Sequence, residues 1–200
     1  MTRTFALNWD YRCPFARVAH EHVLTGLAAG ADWDVQFVAF ALDQVYVEDG
    51  APAVWERVGE HPGLLPNLAG IAVRDQQPEA FLAVHRALFK GRHERKLDLR
   101  RPETVAEILT EAGADAAAAL AEVESGRPAK TLGVEHAEWV GRYEAFGVPT
   151  FLVGGDAVFV RLMNPPEGDA DRAVATIERT LDLMTAWPEL NEFKHTTLPR

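Results

Sequence analysis

Strand signals stand only near the two ends of this chain, and about one hundred residues of helix and loop pattern separate them. A sheet made from such a chain must join segments remote in sequence, with the middle packed around it as helices. At the first end, "RTFALNW" is a short apolar and aromatic run that reads as a strand. The chain then turns through Asp10 to Arg12 into a helix whose Phe15, Val18, Ala19, His22, Val23 and Leu27 recur at helical spacing. Pro14 suits its first turn and Gly30 its end. "DWDVQFVAFAL" follows as a second strand, parallel to the first because the helix between them is long enough for a right-handed crossover.

From about residue 45 to residue 145 the pattern is helical. Pro78 opens "EAFLAVHRALFK", "PETVAEILTEAG" ends in Gly113, and further helices are expected over "DAAAALAEVESG" and "KTLGVEHAEWVGRYEAFG". Strands resume at Thr150 to Val153 and Ala157 to Val160, antiparallel and joined through Gly154, Gly155 and Asp156. A last helix from about Asp169 carries Ala170, Val174, Ile177, Leu181 and Met184 on one face, and the tail after Pro188 reads as loosely held.

With 200 residues, 48% of them hydrophobic, the chain can bury one sizeable core. Its net charge of −10 argues against nucleic acid or an anionic membrane as partner. There is no run of 18 apolar residues and no signal-like pattern at the N-terminus, so a cytoplasmic location is expected. Cys13 is the sole cysteine, which excludes an internal disulfide.

Cys13 stands at the start of the first helix, immediately before Pro14. Unpaired N–H groups and the positive end of the helix dipole favour the thiolate there. The dipole supplies about 0.3 to 2 kcal/mol, at most roughly 1.5 pKa units. A low-pKa thiolate gains little in attack, because its nucleophilicity falls too, but it leaves a mixed disulfide readily. Three positions on, where a second thiol would complete a CxxC pair, stands Ala16.

The order β-α-β, helical block, β-β-α, with special residues in "RCPFA" and "GVPTF", resembles the thioredoxin fold with a large all-helical insertion. More closely it resembles the DsbA-like family, which includes the kappa-class glutathione transferases and the 2-hydroxychromene-2-carboxylate isomerases. The resemblance implies an α/β thioredoxin-like domain from residues 1–44 and 146–187, a helical insertion over 45–145 and a tail over 188–200. It marks Val148-Pro149-Thr150 as the family's cis-proline motif, with Pro149 beside the reactive cysteine and the backbone of Val148 pairing with an extended substrate.

Cys13 is then the catalytic nucleophile, and Tyr11, Arg12, Pro14, Phe15, Ala16, Val148 and Pro149 are the candidate substrate-binding residues. The expected activity is that of a monothiol thiol-disulfide oxidoreductase with no tightly bound cofactor. A small thiol, glutathione or mycothiol, acts as cosubstrate and a small-molecule or protein disulfide as substrate, and the chain is compatible with a homodimer. Departure from CxxC leaves two other readings open: an isomerase or transferase in which Cys13 donates to a bound thiolate, and a non-catalytic domain that binds a partner beside Pro149.

Trp9, Tyr11 and Phe15 read as lining an apolar groove, with core the equal alternative for Trp9 and Phe15, and Arg12 and Arg17 as sites favouring an anionic cosubstrate. Among the histidines, His22 borders the apolar stripe, His20 is expected in solvent, and His85 and His136 fall on apolar helical faces. Neither their spacing nor any HExxH motif suits a metal. The single serine, Ser125, lies outside any GxSxG motif, and no phosphate-binding glycine loop occurs.

Overall fold

The structure, a computed structural model, describes residues 2–48 and 50–197. β1 (Arg3–Trp9), α1 (Pro14–Ala28) and β2 (Trp33–Ala39) form the first unit. Its strands run parallel, from Arg3 opposite Trp33 to Trp9 opposite Ala39. Residues 5–9 of β1 are all buried, the mark of a strand covered on both faces. Short 3-10 turns between Leu42 and Leu64 lead into α2 (Leu65–Gln76), α3 (Pro78–His93), α4 (Pro102–Glu111), α5 (Ala116–Glu124) and α6 (Arg127–Tyr143). The chain returns to the sheet as β3 (Thr150–Val153) and β4 (Asp156–Phe159) and closes with α7 (Ala170–Ala186). Strand order is β2-β1-β3-β4, and β3 meets β1 antiparallel with Ala6 opposite Leu152 and Leu7 opposite Phe151. This is a thioredoxin-like α/β architecture with a helical insertion.

Three details differ from the sequence reading. α2 has no periodic pattern to announce it, because its residues Pro66 to Val73 are all buried and leave no polar face for contrast. The hairpin turn uses two residues rather than three: Gly154 and Gly155 take φ of 61° and 100°, and Asp156 pairs with Val153 inside the ladder, so β4 starts and ends one residue early. α6 begins at Arg127, where Gly126 at φ 76° and Pro128 in the first turn start it three residues before Lys130. Beyond α7, residues 188–197 form neither helix nor strand, and 198–200 of the predicted tail lie outside the described residues.

The outer edge of β2 is capped at its C-terminal end by side chains from the helical block. Glu135 accepts the Ala39 amide at 2.6 Å, and Arg74 donates to the Phe37 carbonyl at 3.0 Å while pairing with Glu135. Just past the strand, Asn67 donates to the Phe40 carbonyl and His136 Nδ1 accepts the Ala41 amide. Helices α2 and α6 thus supply the partners that a fifth strand would have given.

Candidate active site around Cys13

Asp10, completely buried, builds the turn that carries the thiol. Its carboxylate accepts the Arg12 amide at 2.9 Å, the Arg12 guanidinium at 2.7 and 3.0 Å and the Leu42 amide at 3.0 Å, while its carbonyl accepts the Cys13 amide at 3.0 Å. Arg12 also pairs with Asp43. Its charge is therefore held by two carboxylates, and Arg17 is likewise bridged to Glu94. Both arginines are thus partnered by an acid from another part of the fold, which offsets the charge that the sequence reading offered to an anionic cosubstrate.

Cys13 is the N-cap of α1, with extended backbone angles. Its sulfur accepts the Ala16 amide at 3.4 Å and donates to the Val148 carbonyl at 3.3 Å. The Val148–Pro149 peptide bond is cis, and both residues are buried. The side chain is only 8% exposed, and burial pushes its pKa above the ordinary thiol value. The Ala16 and Phe15 amides pull it down, and Asp10 adds to the rise. The expectation of a thiolate favoured by the helix start is thus reversed: the N–H groups are in place, but desolvation outweighs them. Ala16 is fully buried under the sulfur, and Pro14 is exposed beside it. Phe15 is half-buried, with the Arg161 guanidinium 5.3 Å above its ring.

Tyr11 is not on the surface. Its ring is wholly buried and its hydroxyl donates to His85 Nδ1 at 2.6 Å, so the side chain cannot line a substrate groove. Trp9 is buried as well, with Arg74 5.4 Å from its ring centroid. His20, expected in solvent, is fully buried, because α1 lies between the sheet and α3 and has apolar neighbours on more than one side. Its Nε2 meets the Asn8 carbonyl at 3.1 Å, and its Nδ1 meets His85 Nε2 at 2.9 Å. Burial lowers its pKa to about 4 and that of His85 well below the usual value. Half-buried His93 reaches the Tyr11 carbonyl at 2.9 Å. No group of three or more His, Cys, Asp or Glu suited to a metal occurs among the described residues.

The structure brings Cys13, Ala16, Val148 and Pro149 together, with Pro14 and Phe15 at the rim. It adds three residues that sequence reasoning missed: Asn8, Asp10 and Asn67, all fully buried. Asn8 donates to the Gly147 carbonyl at 3.1 Å and accepts the Thr150 amide at 2.6 Å, holding the cis-proline loop from both sides. Asn67 accepts the Tyr11 amide at 3.2 Å. A polar residue inside an apolar run, as in "FALNW", was the available signal.

A family model for the DSBA-like thioredoxin domain matches residues 64–164, which include the cis-proline loop. The chain belongs to the DsbA-like thioredoxin-domain family. Solved structures agree on the DsbA-like fold. A probable DsbA oxidoreductase from Streptomyces coelicolor is 18% identical at TM-score 0.62, over 96% of this chain and 93% of that one. A 2-hydroxychromene-2-carboxylate isomerase is 16% identical at TM-score 0.61, over 92% and 98%. MdbA, a thiol-disulfide oxidoreductase from Actinomyces oris, is 14% identical at TM-score 0.60, over 87% and 80%. No curated protein matches the sequence. At these identities the structural likeness establishes the DsbA-like fold, and the chemistry must be argued from the site.

Proposed function

We propose that the protein is a monothiol thiol-disulfide exchange enzyme. The observation that carries this reading is the placement of Cys13 Sγ between the Ala16 amide and the Val148 carbonyl at a cis-proline loop, with alanine where an internal resolving thiol would stand. A substrate disulfide R–S–S–R′ is attacked by Cys13 once its proton has gone to solvent. A Cys13–S–S–R bond forms, and R′S⁻ leaves and is protonated. A low-molecular-weight thiolate, glutathione or mycothiol, then attacks the R sulfur and restores Cys13, so that two thiol-disulfide exchanges leave the enzyme unchanged.

Burial tunes both steps. Raised pKa lowers the thiolate fraction at neutral pH and raises the nucleophilicity of each thiolate, while making Cys13 a slow leaving group. The mixed disulfide should therefore persist. The test is intact-mass analysis after exposure to oxidised glutathione or mycothiol disulfide: a single thiol adduct, removed by the reduced thiol and lost in Cys13→Ser, is expected. A wild-type chain that forms no adduct with either disulfide would sink the proposal.

The same protonated sulfur favours a second reading, in which Cys13 remains a thiol and donates a hydrogen bond to a bound thiolate in an isomerisation or conjugation. In that case Cys13→Ser would keep activity toward an electrophilic or isomerisable substrate, because a serine hydroxyl is also a donor. Under the exchange reading the same variant is inactive.

A further inference from the structure

Four polar groups form an unbranched line through the core: Tyr11 hydroxyl, His85, His20 and the Asn8 carbonyl, linked at 2.6, 2.9 and 3.1 Å. All four residues are fully buried. The last acceptor fixes every proton. A carbonyl can only accept, so His20 Nε2 carries hydrogen; in the neutral ring its Nδ1 then accepts, His85 Nε2 donates, His85 Nδ1 accepts and the Tyr11 hydroxyl donates. Each hydrogen has one partner and each imidazole lone pair accepts once.

The line joins the two halves of the site. Tyr11 stands two residues before Cys13, and Asn8, besides offering its carbonyl, clasps Gly147 and Thr150 around Pro149 with its side chain. Room for the hydroxyl is provided by Gly70 on α2, where a β-carbon would lie 2.6 Å from the Tyr11 oxygen. We propose that Tyr11, His85 and His20 are positioning residues for Cys13, a neutral relay that holds the thiol turn and the cis-proline loop in one register. This deepens the exchange reading and rests on it.

The relay has room for no further proton. Wherever one is added, protons shift along the line until His85 Nδ1–H points at the Tyr11 oxygen, and the hydroxyl hydrogen loses His85 Nδ1, its one acceptor among the described residues. The charged groups that face the line, Arg74 from α2 and Asp10 from the turn, offer it no hydrogen-bonded counter-ion. The rest of the lining is aromatic, with Phe37, Phe81 and Phe89 packed on His85. Loss of the relay should loosen the turn, admit water to Cys13 and relieve the burial that keeps it protonated.

The test is the pH dependence of Cys13 alkylation by iodoacetamide in Tyr11→Phe and His85→Gln, with Ile108→Val in α4, which packs on Gly91 of α3 and makes no hydrogen bond to the line, as a destabilised control. The first two should lower the midpoint by about one pH unit, a tenfold rise in thiolate below it, and the control should leave it unmoved. Unchanged midpoints in Tyr11→Phe and His85→Gln, or an equal shift in Ile108→Val, would overturn the proposal. In the wild type, ¹⁵N NMR should find His20 and His85 both as Nε2–H tautomers, and this holds even if the variants do not fold. An Nδ1–H tautomer at either, or titration of either above about pH 6, would overturn it as well. Alkylation reports the surroundings of the sulfur whether or not disulfides react with it, so failure of the exchange chemistry and failure of the relay give different results.

Discussion

Asn8 accepts the Thr150 amide at 2.6 Å, a hydrogen bond that joins the end of β1 directly to the residue following the cis-proline. The same side chain donates to Gly147, whose carbonyl keeps a second donor in the Thr150 hydroxyl at 2.9 Å, so its removal strands the buried Thr150 amide. Asn8→Ala is expected to cost about 2 kcal/mol, since an unsatisfied buried group costs about 1 to 3. Denaturant unfolding at neutral pH measures it, and a loss below about 1 kcal/mol would show that the loop is held by other means.

Alkylation of wild-type Cys13 should have its midpoint above that of a free cysteine side chain, because burial raises the pKa of the folded thiol. Stability follows the same sign. The unfolded chain ionises first as pH rises, so the contribution present below the unfolded pKa is lost through the alkaline range up to the folded one. Cys13→Ala should flatten that alkaline slope. An alkylation midpoint below the free-thiol value would show that the Ala16 and Phe15 amides outweigh burial.

On the acid side the buried histidines dominate. His20 has its pKa lowered to about 4 and burial lowers that of His85 well below its ordinary value, so the unfolded state takes up protons that the folded state refuses. Their contribution is complete above the unfolded value of about 6.5 and is lost as pH falls from there toward 4, for His20 an amount of order 3 kcal/mol. Unfolding free energies measured across this window should fall steeply. A flat profile would mean that these rings are not held neutral.

Ala16→Cys should change the reaction order of the site. The residue is fully buried and its amide lies 3.4 Å from Cys13 Sγ, so a thiol there stands within one helical turn of the first. Oxidation with glutathione disulfide is expected to give an internal disulfide between Cys13 and the introduced thiol in place of the stable adduct, read by intact mass and by loss of both free thiols. Persistence of the single-thiol adduct at wild-type level would count against the geometry.

The architecture was readable because its signals are local: apolar runs at 3–9 and 150–153, proline at helix starts, and glycine pairs at turns. The position of Cys13 followed from one such junction. Its ionisation did not, because the helix N-terminus is written in adjacent residues whereas the desolvating wall includes Val148, 135 positions away. His20 was misplaced for the same reason. One helix can be wrapped by a sheet on one side and another helix on the other, and nothing in its own periodicity distinguishes that from a single buried stripe. Tyr11 and Arg12 looked like groove residues by their nearness to Cys13 in sequence, yet their partners, His85 and Asp43, turn one inward and cancel the other's charge.

The polar caps on β2 and just past it, from Arg74, Glu135, Asn67 and His136, give the helical block a duty at the sheet edge. A shortened chain lacking residues 65–143 would lose them all and present naked strand hydrogen-bonding groups to its neighbours, an invitation to sticky intermolecular pairing. The segment between the two halves is thus no removable accessory: it is what keeps the β2 edge of the sheet solitary.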